Sequence, residues 1–151
     1  MRGFRLSAIR EQTRKVGLPA GFPSTLQEQL PATVESVAAA RTAVRRFARD
    51  LEVDLDGIVL AVSEAVANAV VHAYDDPAHG DVELTVSASP HDVTVLVRDR
   101  GRGLASDSGV VGAGFGIEII RRLAQHVALE DGRPGVALTM RFLRGGAWSA
   151  R

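Results

Sequence analysis

The stretch "SEAVANAVVHAY" (63–74) decides how this chain is read. It is rich in Ala and Val, as a buried helix is, yet it carries Glu64, Asn68 and His72 at intervals of four. Each step of four drifts by only ~40° around a helix, so the three polar groups form one slanting line. Buried without partners, such groups cost about 1–3 kcal/mol or more each. They therefore either snorkel at a helix edge or line a pocket. Each taken singly has an ordinary reading: a solvated Glu, a surface Asn, a satisfied His.

Outward from this helix, the apolar pattern extends back to Leu55, giving a helix over 55–74 that is stopped by Pro77 and Gly80. Upstream, residues 31–51 repeat apolar groups at helical spacing, with Thr33 as the expected N-cap. Arg41, Arg45, Arg46 and Arg49 fall in that helix's second half, where they suit its dipole. "STLQEQL" (24–30) alternates weakly and reads as an edge strand. Downstream, "VELTVSAS" (82–89) and "DVTVLVRD" (92–99) alternate around Pro90 and His91, a hairpin signal. A third helix is expected over 115–127, then strands "VALEDG" (127–132) and "GVALTMRF" (135–142) turned between Gly132 and Gly135. Clustered strands with separate helices predict an α+β fold, a two-layer sandwich of one mixed β-sheet with helices on one face.

Two glycine-rich elements complete the pattern. In "VRDRGRGL", Asp99 ends an apolar strand and Gly101 and Gly103 follow. Glycine there permits a positive φ or close approach of a ligand to the backbone. In "GAGFGIEII", Gly112, Gly114 and Gly116 run into a helix N-terminus, whose unpaired N–H groups and dipole favour an anion such as phosphate. An ordinary turn and a hinge are the plainer readings of the two. The order and spacing of all three elements make the combination specific.

Composition narrows the class. With 151 residues, 46% hydrophobic and 24% charged, the chain suits one globular domain. Eighteen basic residues balance eighteen acidic ones, which argues against a nucleic-acid or membrane-surface binder. The absence of cysteine excludes disulfide, thiol-nucleophile and thiolate-metal chemistry and fits a reducing cytoplasm. The charged N-terminus lacks a signal-peptide core, and no apolar run reaches the ~18 residues of a membrane span. The expected layout is an extension over 1–21, a domain over 22–143 and a tail over 144–151.

The three quoted stretches resemble the asparagine box and two glycine boxes of the GHKL, or Bergerat-type, histidine-kinase-like ATPases. Within that fold they look most like the anti-sigma-factor serine/threonine protein kinase family. The resemblance implies ATP and Mg²⁺ as cofactors. It implies Asn68 as the Mg²⁺ ligand, Glu64 as general base, and His72 near the ribose or phosphates. It further implies Asp99 as the partner of the adenine amino group, Gly101 and Gly103 beside the base, and Gly112, Gly114 and Gly116 presenting N–H groups to phosphate. The partners implied are a sigma factor and an anti-anti-sigma factor that accepts phosphate on Ser or Thr, with the kinase a cytoplasmic homodimer. The alternative is an ATP-binding regulatory module of the same fold without turnover. The chain departs from the family where Val136 stands in place of a common Thr. Its lid is also short, with no Arg or Lys between Leu104 and Gly114.

Overall fold

The computed structural model describes residues 24–72, 80–101, 114–131 and 134–145. The expected extension over 1–21, most of the expected lid and residues 146–151 lie outside them. Among the described residues eight elements follow one another: β1 (Ser24–Pro31), α1 (Glu35–Ala48), α2 (Leu55–His72), β2 (Asp81–Ala88), β3 (Asp92–Asp99), α3 (Gly114–Leu123), β4 (His126–Asp131) and β5 (Val136–Leu143).

The strands form one sheet in the order β1-β2-β3-β5-β4. Every pairing is antiparallel, which corrects the mixed sheet expected from sequence. β3 and β4, joined through α3, do run parallel, but β5 is inserted between them and pairs antiparallel with both. The sheet thus keeps a parallel crossover without a parallel ladder.

Alternation sets the two faces. Val82, Leu84, Val86 and Ala88 on β2 are buried, as are Val93, Val95 and Val97 on β3 and Leu138, Met140 and Phe142 on β5. The helices cover this side: α1 lies over β1, α2 over β2 and β3, and α3 over β4. α2 contributes Ile58, Val59, Ala61, Val62, Ala65, Val66 and Ala69 to the same core. Each fully buried Val, Leu or Ile stabilises the fold by about 1.5–3 kcal/mol. The other sheet face carries Glu83, Thr85, Ser87, Thr94, Arg98, Thr139 and Arg141, none of them in the core.

Local chemistry moves several boundaries. α1 starts at Glu35 with Val34 at the N-cap position and no side-chain cap, so Thr33 does not cap it. Instead the Ser36 hydroxyl turns back to donate to the Pro31 carbonyl at 2.5 Å. Asp54 does cap α2: its Oδ1 accepts from the Gly57 N–H at 3.0 Å. α3 ends four residues before the expected 127, because the Gln125 N–H bonds the Arg141 carbonyl and His126 already pairs with Arg141. Beyond β5, Arg144 and Gly145 are held, their N–H groups donating to the carbonyls of His91 and Glu52 at 2.8 Å each. Among the described residues no helix is long and apolar enough to cross a membrane.

Candidate functional site

Two groups of site residues are seen, Glu64 and Asn68 where α2 meets α3, and Asp99 at the end of β3 beside β5. α2 is wedged between α1 and α3 above the sheet, so its apolar majority is buried. Glu64 and Asn68 fall on the flank toward α3 and stay half-buried. The contact with α3 is made by a missing side chain. A Cβ on Gly116 would lie 2.8 Å from Asn68 Nδ2, 3.3 Å from Asn68 Oδ1 and 3.3 Å from Glu64 Oε2. The carboxylate and the amide therefore face the first turn of α3, whose leading N–H groups have no helical acceptor. Gly114 is the first residue of that helix. The arrangement places an acid and an amide beside the N-terminal turn of a helix.

This contact predicts opposite effects of Gly116→Ala on folding and on the site. Alanine favours a helix over glycine by up to about 1 kcal/mol, so thermal melting should hold or rise. The new methyl must displace the Asn68 amide, and if Asn68 serves a bound nucleotide, as the resemblance implies, ATP affinity should fall by about tenfold, since small misplacements in such sites are costly. Calorimetry and a melting curve on the same sample check both signs.

Asp99 occupies the last position of β3 on the helix-covered face, 7% exposed. It lies opposite Val82, at the start of β2. Gly80 just before β2 accepts a 2.8 Å bond from the Ala32 N–H. The chain leaving α2 at His72 thus returns to the sheet at the Asp99 end. Asp99 Oδ1 accepts two backbone N–H groups, Gly101 at 3.0 Å and Val136 at 3.3 Å. Burial pushes its carboxyl above the ordinary carboxylate value. The two backbone bonds pull it down in part, and nearby Asp131 pushes it further up.

Of the sequence-expected residues, the structure brings Glu64, Asn68 and Gly116 together, and separately Asp99 and Gly101. His72 ends α2, with its side chain outside the described residues. Gly103 and Gly112 also lie outside them. The sequence reading placed Gly135 in the turn before the last strand but missed its approach to Asp99. It has φ +87°, and a Cβ there would sit 1.9 Å from the Asp99 carbonyl oxygen. The signal was present as the Pro-Gly pair of "DGRPG", a turn dipeptide that directly precedes the last strand. An open cavity of about 280 Å³ borders Asp99 here, with Arg98, Arg100, Glu130 and Pro134 on its wall. Neither Glu64 nor Asn68 lines it. Among the described residues no three His, Cys, Asp or Glu side chains cluster as a metal site. A cation held here would rest on amide and phosphate oxygens and water, a donor set that suits Mg²⁺.

The family model for the histidine kinase-like ATPase domain matches residues 30–142. The chain belongs to this family. The ATPase domain's name carries ATP as the nucleotide it handles. Among similar proteins, an anti-sigma F factor of Anoxybacillus flavithermus is 34% identical over 79 residues, 50% of this chain and 54% of that protein. The chain thus spans about half of that relative's length. An anti-sigma F factor of Bacillus subtilis is 25% identical over 130 residues, 77% of this chain and 88% of that protein. The fold of this ATPase domain recurs in the RsbU and RsbW domains of Rv1364c from Mycobacterium tuberculosis, with a TM-score of 0.64 at 24% identity. That match covers 84% of this chain and 34% of the other. It recurs in the histidine kinase domain of a blue-light-activated kinase from Erythrobacter litoralis, with a TM-score of 0.52 at 24% identity, covering 75% and 61%.

Proposed function

We propose that this ATPase domain, with residues 22–143 as its working unit, is an anti-sigma factor with serine/threonine protein kinase activity. In this reading it phosphorylates an anti-anti-sigma factor and, as a cytoplasmic homodimer, sequesters a sigma factor. The observation that carries the reading is the contact of Glu64 and Asn68 with Gly116 at the start of α3. The curated relatives named anti-sigma F factors support the partner class.

Each residue has a physical task in this reading. The first N–H groups of α3 receive phosphate oxygens, an interaction the helix dipole reinforces. Asn68 offers a neutral oxygen ligand to Mg²⁺, which neutralises charge on the phosphates when bound. Glu64 orients the acceptor hydroxyl and takes its proton as that oxygen bonds to the γ-phosphorus. The bond from the γ-phosphorus to the bridging oxygen breaks, and ADP leaves. Such transfer asks for positioning and charge neutralisation more than covalent chemistry. Asp99 receives the adenine amino group, which guanine lacks at that position.

The second reading, an ATP-dependent regulatory module without turnover, is favoured by the absence of Arg or Lys between Leu104 and Gly114. Both readings need the nucleotide. ATP titrated calorimetrically with Mg²⁺ and with EDTA, beside Asn68→Ala, tests that shared base. Saturable Mg²⁺-dependent binding is expected in the wild type. In Asn68→Ala the Mg²⁺ and EDTA titrations should coincide. Persistent Mg²⁺ dependence in the variant would assign the cation to another residue.

A further inference from the structure

We propose that the backbone corner at Gly135 and Val136 sets the base selectivity of this site, through its grip on Asp99. The inference rests on the reading that Asp99 faces the base. Gly135 is packed backbone against backbone. A Cβ would lie 1.9 Å from the Asp99 oxygen, 2.6 Å from its carbonyl carbon and 2.7 Å from Arg100 Cα. No flexible side-chain end is among these atoms, so none can swing aside. The φ of +87° independently demands glycine. This approach brings the next N–H, that of Val136, onto Asp99 Oδ1.

The consequence is directional. The Gly101 N–H reaches the same oxygen from within the chain, and Val136 reaches it from the neighbouring strand. Two donors on Oδ1 fix the carboxylate's rotation. In this reading Oδ2 is the acceptor that faces the base. A fixed acceptor attracts an amino group and repels a carbonyl. A carboxylate free to rotate would let water intervene and accept either. Selectivity against a 6-oxo purine thus depends on the Val136 N–H, whereas the Val136 side chain takes no part.

Inosine triphosphate differs from ATP by a carbonyl in place of the amino group, and is the probe. Dissociation constants for both nucleotides are measured on the full chain as wild type, Val136→Ala and Val136→Pro. Proline removes the N–H and is tolerated at the first residue of a strand. The wild type and Val136→Ala should prefer ATP by about 100-fold or more, because mismatched buried hydrogen-bonding groups are strongly rejected. Val136→Pro should narrow that preference to within about tenfold, the worth of one hydrogen bond to a charged group. Should the proline variant fail to fold, replacing residue 136 by its α-hydroxy acid removes the same N–H and keeps the side chain. An unchanged preference when the N–H is gone would overturn the proposal, as would a narrowed one in Val136→Ala. A wild type that does not distinguish the two nucleotides would instead overturn the Asp99 reading beneath it.

Discussion

Asp99→Asn is expected to lose ATP binding by at least about 100-fold while making the nucleotide-free protein more stable at neutral pH. The asparagine oxygen can still accept from the Gly101 and Val136 N–H groups, so the local turn survives. Its amide nitrogen replaces the other carboxylate oxygen and, in the proposed reading, turns a donor toward the adenine amino group. Two donors then face each other in a buried place.

The stability gain follows from the titration of Asp99. Burial is the largest influence and raises its pKa in the folded state above the ordinary 3.8, with Asp131 adding to it. The folded protein therefore holds this proton more tightly than the unfolded chain. Stability falls as pH rises from about 3.8 through the raised value, and above that value the full cost of the buried charge remains. Asparagine carries no charge and escapes the cost. Melting near pH 7 should therefore shift upward. The gap should close as pH is lowered toward 4. An equal or lower melting point at pH 7, or unaltered ATP affinity, would refute the assignment. A site that gains stability when disabled is what a functional residue held against its solvation preference should give.

Glu64→Gln should leave ATP affinity within about twofold and lower ADP formation by at least about 100-fold, the usual contribution of a positioned base. Gln matches the shape of Glu, so the contact with Gly116 persists. What disappears is the ability to take a proton. Calorimetry gives the binding side, and a coupled ADP assay gives turnover. If wild type and variant turn over equally, Glu64 is not the base. If the wild type binds ATP yet produces no ADP with any acceptor, the regulatory module without turnover is the correct reading.

Much of the fold was legible because its signals are local. Strict alternation in 82–89 and 92–99 needs no long-range contact to be recognised, and both strands stand where expected. α2 begins at Leu55, as its periodicity foretells, and the structure adds the Asp54 cap. The end of α3 was not legible. Val127 continues an apolar period that suits a helix, but pairing with Met140 draws it into the sheet. Likewise Thr33 has the chemistry of a cap, and the return of the chain from Pro31 decides otherwise.

The candidate site divides in the same way. Glu64, Asn68 and His72 share one side of a helix by spacing alone, so the sequence by itself determines that line and the apolar helix that carries it. It equally determines that Asp99 ends a strand and that glycines flank it. The tertiary structure alone decides what these residues meet. Gly116 touches Asn68 and Glu64 only because α3 packs against α2, some fifty residues away in sequence. Gly135 touches Asp99 only because β5 inserts beside β3. Periodicity fixes which face a side chain takes, since that depends on the backbone repeat of its own segment. Contacts across such separations depend on how whole elements pack, and no local repeat encodes them.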